Sequence, residues 1–399
     1  MSILADVPLA PRDPILGLTE AFVADPRPDK VNLGVGVYLG EDGKVPLLDC
    51  VRSAEAALVA EPTARGYLPI DGLAAYDRLV RELVFGADSE PVASGRVVTV
   101  QALGGTGALK LGAEFLKTTS ARAKVLISTP SWENHLALFT RAGFEVDSYR
   151  YYDADRRGVD VEGMLADLAA AEPGTIVVLH ACCHNPTGYD LADADWERVA
   201  AAVVAGGLVP FLDLAYQGFS AGLEPDRAAV VRFAALGVPV LVASSFSKSF
   251  SLYGERVGAL SVVAADAAEA TRVLSQLKVT VRTIYSNPPT HGAAVVAKVL
   301  ADPGLRAGWE QELAGMRDRI KQMRSALVDA LAAAGAPGDF GFITGQVGMF
   351  SYSGLTAEQM RRLRDEHAVY GTDAGRICVA ALNPGNVDGV ARAIADVLK

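Results

Sequence analysis

The chain has few cysteines, no long unbroken apolar run and little aromatic content. Only 4 of its 399 residues are cysteine, and their spacings match neither a zinc site nor a disulfide framework. The longest apolar run, residues 199–212, is interrupted by two glycines and a proline, so it is too short and broken to span a membrane. The N-terminus lacks the basic start and continuous apolar stretch of a signal peptide. We therefore expect a cytoplasmic protein with no membrane partner.

Basic residues are in the minority. The 37 Lys and Arg against 47 Asp and Glu give a formal net charge of −10, a field that repels phosphate backbones, so nucleic acid is not an expected partner. Half of the residues are hydrophobic and 21% are charged, which excludes disordered and collagen-like chains. The length suits several domains, or one large domain with a smaller one.

Short apolar runs alternate with amphipathic helical patterns between residues 96 and 265. Nearly continuous apolar runs are typical of strands that are covered on both faces of a parallel sheet. The predicted strands are Val97–Gln101, Lys124–Ser128, Thr175–His180, Leu208–Asp213, Val240–Ser244 and Gly258–Ala264. After a long predicted helix over 305–334, a second alternation of strands and helices predicts a smaller unit. The predicted fold class is α/β, with a large, mostly parallel sheet flanked by helices and a smaller α/β domain.

Polar residues follow the predicted strands, at the edge where open α/β sheets bind ligands. Gly104–Ala108 begins a helix and could admit an anion, but it matches neither a dinucleotide fingerprint nor a Walker A motif. Asp213 ends one strand, and Lys248 follows another beside three serines and, further on, Arg256. Taken singly, the glycine segment could be only a tight turn, and the better interpretations are a helix cap for Asp213 and a solvated charge for Lys248. Together they match the needs of pyridoxal phosphate (PLP): a Schiff-base lysine, an acid for the ring nitrogen and donors for the phosphate.

The segment 180–188 contains two histidines and two adjacent cysteines. Adjacent cysteines chelate a tetrahedral metal poorly and no second cluster lies at zinc spacing, so no metal is expected. Asn185-Pro186 indicates a shaped turn that presents the Asn185 side chain.

Nine motifs in order along nearly the whole chain carry a family resemblance: Asp13–Leu18, Asn32–Tyr38, Gly104–Ala108, Cys182–Gly188, Asp213–Phe219, Ser244–Lys248, Leu252–Gly258, Tyr285–Pro289 and Gly348–Tyr352. On these motifs the chain resembles the class I aspartate and aromatic-amino-acid aminotransferases, which are PLP enzymes of fold type I. Residues 132–135 and 246–256 resemble the bacterial tyrosine, or aromatic, branch. The resemblance implies a large PLP-binding domain over 46–314, a small domain from 13–45 and 315–399, and an N-terminal arm over 1–12.

The resemblance also implies roles for single residues. Lys248 would bind PLP as a Schiff base and move the substrate proton, and Asp213 would pair with the ring nitrogen, supported by His135 and His180. Tyr67 would act on the neighbouring subunit's site, so that Lys248, Asp213 and Tyr67 form the catalytic set of a homodimer with shared active sites. The implied cofactor-binding residues are Gly105, Thr106, Trp132, His135, Asn185, Asp213, Tyr216, Ser245, Ser247, Lys248, Arg256 and Tyr67.

The implied substrates are small amino acids and 2-oxo acids. Arg376 would bind the α-carboxylate, with Gly36 beside it, and Arg282 would reach across the dimer to a distal carboxylate. Trp132 and Asn185 complete the implied substrate-binding set.

The residues that bear on the preferred amino acid point in different directions. The apolar Ile15, Leu16, Val37 and Leu39 favour aromatic as well as acidic substrates, whereas Thr106 and Asn287 resemble the aspartate branch. The expected reaction is transamination of tyrosine, phenylalanine and aspartate with 2-oxoglutarate, and the alternative is an aspartate aminotransferase with strict dicarboxylate preference. A PLP lyase, a nicotinamide-dependent oxidoreductase and a non-catalytic scaffold are the rivals from other classes.

Overall fold

The structure is a computed structural model that describes residues 2–9, 16–64, 66–120 and 122–399. The motif residues Asp13, Pro14 and Ile15, and part of the predicted arm, lie outside the described residues. The chain divides into two compact units: a larger one from residues 45–321 and 345–348, and a smaller one from residues 1–44, 322–344 and 349–399.

Strands and helices alternate along most of the chain. The strands are β1 (Val31–Asn32), β2 (Val97–Leu103), β3 (Lys124–Thr129), β4 (Glu145–Arg150), β5 (Tyr152–Asp153), β6 (Gly158–Val159), β7 (Ile176–His180), β8 (Val209–Leu214), β9 (Val240–Ser245), β10 (Val257–Val263), β11 (Phe350–Tyr352), β12 (Val369–Tyr370) and β13 (Arg376–Cys378). The helices are α1 (Leu16–Ala24), α2 (Asp49–Ala60), α3 (Ala74–Phe85), α4 (Glu90–Ala93), α5 (Gly104–Thr119), α6 (Glu133–Arg141), α7 (Val161–Ala170), α8 (Asp193–Ala205), α9 (Leu223–Asp226), α10 (Ala228–Ala234), α11 (Ala267–Ile284), α12 (His291–Ala301), α13 (Pro303–Ala333), α14 (Ala357–His367) and α15 (Val387–Val397).

A seven-stranded sheet forms the centre of the larger unit. Its strand order is β2-β10-β9-β8-β7-β3-β4. Only β10 within this sheet runs antiparallel to its neighbours, β2 and β9; the remaining pairs are parallel. The predicted α/β class with a mostly parallel sheet is thereby confirmed, and all six predicted strands are present.

The edge strand β4 was not among the predicted strands. Its sequence is polar, and Tyr149 is the one buried position in it. An edge strand with one solvated face lacks the continuous apolar run that marks the central strands.

Close packing fixes helix α5 against the sheet. A Cβ at Gly112 of α5 would lie 2.4 Å from Cζ of Phe211 on β8, so only glycine leaves room for this ring. Phe211 is fully buried and meets Phe139 of α6 edge-on at 5.9 Å. These contacts hold the N-terminus of α5 at the C-terminal end of the parallel strands, where Asp213 and Lys248 also lie.

The smaller unit contains two short sheets. β1 pairs in parallel with β12, and β11 pairs antiparallel with β13. A capping box starts α14: the Thr356 hydroxyl accepts from the Gln359 backbone N–H, and the Gln359 side chain accepts from the Thr356 backbone N–H. The predicted long helix is confirmed as α13. None of the helices in the described part of the chain is long and apolar enough to cross a membrane.

Candidate active site

A buried acid lies at the C-terminal end of β8. Oδ2 of Asp213 is 3.0 Å from Nε2 of His135, and Nδ1 of His135 is 2.9 Å from the Ser131 hydroxyl. Burial by itself raises the pKa of Asp213, but the hydrogen bond with His135, followed by the charges of His135 and Lys248, outweighs it and lowers the pKa. The sheet thus presents an ionised carboxylate where a cationic ring N–H could be bound.

Two more histidines lie behind this carboxylate. His180 ends β7 and pairs in register with Asp213, and its ring centroid is 5.0 Å from that of His135. Burial, followed by the charge of His135, lowers the pKa of His180 to about 3, so this ring is neutral. Neither of its ring nitrogens has a hydrogen-bond partner among the described residues. His184 donates or accepts at both nitrogens, to the hydroxyls of Ser128 at 2.9 Å and Thr187 at 2.8 Å.

Lys248 lies in the turn that follows β9. Its Nζ is 4.7 Å from the centroid of the Tyr216 ring, and its charge contributes to the lowered pKa of Asp213. Tyr216 is buried and follows Asp213 by three residues. Because β8 and β9 are parallel neighbours, their C-terminal ends bring the lysine, the tyrosine and the acid together.

A set of donors surrounds the start of α5. Nη1 of Arg256 is 3.3 Å from the Ser247 hydroxyl, which is 3.3 Å from the Ser245 hydroxyl. Gly104 has a φ of +68°, and a Cβ there would lie 2.6 Å from Nη2 of Arg256. A Cβ on Gly105 would lie 3.1 Å from the Cβ of Ser245, so both glycines leave room that side chains would fill. Thr106 lies in the first turn of the same helix.

The two loops that flank this region carry Trp132 and Asn185. Trp132 is the N-cap residue of α6, and its ring meets that of His135 edge-on at 5.3 Å. Asn185 is buried, and the peptide bond between it and Pro186 is cis. Both side chains thus follow strands of the same sheet, β3 and β7.

Tyr67 and Arg282, the residues predicted to serve a neighbouring subunit, lie at the surface of the larger unit. Tyr67 is 95% exposed. Arg282 is exposed in the last turn of α11, where its Nη1 donates to the Ser286 hydroxyl. Their predicted roles stay predictions.

Arg376 and Gly36 belong to the smaller unit. Arg376 starts β13 and is 1% exposed, and its Nη2 donates to the Gly34 carbonyl at 2.8 Å. A Cβ on Gly36 would lie 2.6 Å from Cζ of Phe350, so this glycine makes room for the ring.

The residues of the larger unit fit PLP. Hydroxyls, a guanidinium and the N-terminus of a 16-residue helix form a donor set suited to a phosphate dianion. Asp213 suits the protonated ring nitrogen, and Lys248 is the amine for covalent attachment. The ligand atoms of His135, His180 and Asp213 lie within 4.8 Å of one another, but His135 already uses Nε2 on Asp213 and Nδ1 on Ser131. This bonding favours a proton-holding network over a metal site.

Three polar residues of this region were not among the predicted site residues. The Ser131 hydroxyl orients the His135 ring. His184 links the loop after β7 to the end of β3. The buried Ser244 hydroxyl has no hydrogen-bond partner among the described residues. Ser131 could have been found from the sequence, because it precedes His135 by only four residues. The contact between His184 and Ser128 joins positions 56 residues apart, so the local sequence carries no signal for it.

The comparisons with known proteins agree with this geometry. A family model described as "Aminotransferase class I and II" matches residues 28–394. The chain is 61% identical over 398 residues to an aspartate aminotransferase of Pseudomonas aeruginosa, with 100% of both chains covered. It is 51% identical over 387 residues to an aromatic-amino-acid aminotransferase of Escherichia coli, covering 97% of this chain and 98% of that one.

A solved structure has nearly the same fold. It is an aromatic-amino-acid aminotransferase from Burkholderia pseudomallei, covalently bound to pyridoxal phosphate, with a TM-score of 0.98 and 65% identity over 100% of both chains. Sequence and fold thus match aminotransferases along the whole length, and the rival classes of lyase, oxidoreductase and scaffold protein are not supported. The chain belongs to the class I and II aminotransferase family.

Proposed function

We propose that this aminotransferase transfers the amino group of tyrosine, phenylalanine and aspartate to 2-oxoglutarate, at an active site shared between two copies of the chain. The cofactor is PLP. When bound, it supplies an electron sink that makes the Cα proton of the amino acid acidic. The observation that carries the proposal is the convergence of Lys248, the ionised Asp213 and the donors around α5 at one edge of one sheet.

The residues of the larger unit would hold the cofactor and move the proton. Lys248 Nζ would be the covalent attachment point and, when free, would be the base that takes the Cα proton. Asp213 would accept from the ring N–H, and its lowered pKa keeps it ionised for this task. The remaining proposed ligands are the phosphate donors Gly105, Thr106, Ser245, Ser247 and Arg256, and the ring contacts His135, Trp132, Asn185 and Tyr216.

Carboxylate recognition is assigned to two arginines. Arg376, beside Gly36, presents a planar guanidinium, which binds a carboxylate through two parallel hydrogen bonds. Arg282 would meet the distal carboxylate of an acidic substrate in the neighbouring copy.

A homodimer is supported by the surface of the larger unit. Tyr67 is 95% exposed, and the apolar Leu47, Val279 and Ile284 are 63%, 57% and 45% exposed. A second copy of the chain would remove such apolar side chains from water. We place the protein in the cytoplasm, since the four cysteines are buried and form no disulfide.

The preference between aromatic and acidic substrates is tested directly by kcat/KM. Phenylalanine, tyrosine and aspartate are compared with 2-oxoglutarate on PLP-loaded protein at one pH and salt concentration. Values for the aromatic substrates equal to or above that for aspartate support the proposal. A preference for aspartate above about a hundredfold, or near 3 kcal/mol, supports the alternative, an aspartate aminotransferase with strict dicarboxylate preference. The Pseudomonas aeruginosa relative is named an aspartate aminotransferase.

Arg282→Ala separates the two carboxylates. Loss of its guanidinium should lower kcat/KM for aspartate by about a hundredfold and that for phenylalanine by less than about threefold, because only aspartate brings a distal charge. Arg272→Ala, an exposed arginine on the same helix, is the matched control. Equal losses for both substrates contradict the role of Arg282.

Mixed dimers test whether the site is shared. Lys248→Ala and Arg282→Ala proteins are unfolded together and refolded. In a shared-site dimer one of the two sites regains both residues, so the mixture should turn over aspartate faster than the sum of the parents. Activity equal to that sum contradicts sharing.

A further inference from the structure

Phe350 lies beside Arg376 because of the register of β11 and β13. Tyr352 faces Arg376 directly, and Phe350 faces Cys378. Phe350 is therefore the diagonal neighbour of Arg376 on one face of the strand pair, a separation that an aromatic ring and a long side chain bridge. The guanidinium carbon of Arg376 is 4.4 Å from the centroid of the Phe350 ring.

The ring is fixed on its other side and at its backbone. Gly36 leaves only enough room for Cζ of Phe350, since a Cβ at that position would lie 2.6 Å away. The Phe350 carbonyl accepts from Nη2 of Arg324 at 2.6 Å, and Nη1 of Arg324 donates to the Ile343 carbonyl at 3.2 Å. Arg324 is 2% exposed. A buried arginine on α13 therefore anchors the strand that carries the ring.

This arrangement suits a guanidinium that must stay charged and ready for a ligand. An aromatic face stabilises positive charge through its quadrupole, which offsets part of the cost of burying Arg376. A carboxylate in place of the ring would stabilise the positive charge more strongly. It would also accept hydrogen bonds from the same Arg376 N–H groups that a substrate carboxylate needs.

We propose that Phe350, anchored by Arg324 and seated in the room left by Gly36, is a positioning residue that holds the Arg376 guanidinium for carboxylate binding. The proposal rests on the proposed function of Arg376. Phe350 itself need not touch the substrate.

Phe350→Leu removes the ring and keeps a buried apolar side chain. On PLP-loaded protein we expect about a tenfold weaker Kd for 3-phenylpropionate, an aromatic carboxylate without an amino group, measured by calorimetry. The KM values for phenylalanine and 2-oxoglutarate should rise by a similar factor, while kcat changes less than about threefold. The absorbance of bound PLP should not change, because Phe350 is not among its proposed ligands. Phe342→Leu, an aromatic residue of the same unit that packs on Phe340, is the control.

A second variant separates ring electrostatics from packing. Replacing Phe350 with 3,5-difluorophenylalanine keeps the ring and weakens its negative face, and it should weaken 3-phenylpropionate binding by about threefold. This variant also decides the matter if Phe350→Leu does not fold. Unchanged affinity in the fluorinated protein overturns the proposal.

Arg376→Leu distinguishes failure of this inference from failure of the proposed function. A large loss of 3-phenylpropionate affinity in Arg376→Leu, with full affinity in both Phe350 variants, overturns only the positioning role of Phe350. Full affinity in Arg376→Leu overturns the proposed carboxylate role of Arg376, and the inference with it.

Discussion

Asp77 on α3 is expected to make the stability of this protein fall as pH rises. The residue is 9% exposed, and its Oδ1 has no hydrogen-bond partner among the described residues. Burial, followed by the charge of Asp71, raises its pKa to about 8; Arg81, the Gln101 backbone N–H and Lys278 oppose this shift only in part. The carboxyl is therefore protonated in the folded protein at neutral pH and ionised in the unfolded chain.

The direction of the change in the free energy of unfolding with pH follows from proton binding. A carboxyl whose folded pKa is raised contributes stability that is fully present below its unfolded pKa and is lost as pH rises through its folded pKa. The free energy of unfolding should therefore fall by about 1.4 kcal/mol per pH unit over the window between the two values. From pH 5 to pH 7 the loss due to Asp77 amounts to about 2.5 kcal/mol.

Asp77→Asn removes the titration and keeps the shape of the side chain. The stability of the variant relative to the parent should rise by about 2.5 kcal/mol between pH 5 and pH 7 and level off above pH 8. Urea unfolding at fixed protein and PLP concentrations measures it, and any constant effect of the amide cancels in the difference. Asp88→Asn, an exposed aspartate in the turn after the same helix, should show no such trend. A difference that stays constant between pH 5 and pH 7 would refute the reasoning.

Three further outcomes are expected. Lys248→Ala should abolish transamination, and after borohydride reduction its intact mass should show no covalently bound PLP. The control Lys110→Ala should retain the covalent PLP adduct. A PLP adduct in Lys248→Ala would disprove Lys248 as the attachment point. Gly104→Ala forces an L-residue into a φ of +68° and places its Cβ 2.6 Å from Nη2 of Arg256. The Kd for PLP should therefore rise by about tenfold or more. Unchanged affinity would mean that Arg256 does not hold the phosphate. Phe211→Ala should lower the free energy of unfolding by about 4 kcal/mol, because it empties a fully buried site between α5 and α6; a loss below about 1 kcal/mol in urea unfolding would show that the core collapses around the cavity.

Several features of the fold and of the candidate site could be predicted from local sequence. The central strands are continuous apolar runs, so their positions follow from composition alone. Lys248, Asp213 and the glycine turn could be proposed as one site because they follow strands of a predicted parallel sheet, and such ends share an edge. The family resemblance supplied the remaining roles, which neither spacing nor periodicity contains.

Other features depend on pairing between distant segments. The antiparallel direction of β10 is evident only from its pairing with β2 and β9, since its own sequence is as apolar as that of the parallel strands. The raised pKa of Asp77 depends first on its burial by the folded chain and then on the charge of Asp71 in the segment before α3, and no local pattern distinguishes it from an exposed helix aspartate.

The sequence by itself determined the α/β class, the central strands and the chemical identity of the candidate groups, because apolar runs and residue types act locally. The tertiary structure decided how those groups are tuned. The bond between His135 and Asp213 joins positions 78 residues apart, and it lowers a pKa that burial alone would raise. The face of Phe350 meets the guanidinium of Arg376 only because the register of two short strands makes them diagonal neighbours. Hydrogen bonds, desolvation and cation–π contacts depend on distances of a few ångströms, and only the folded chain sets such distances.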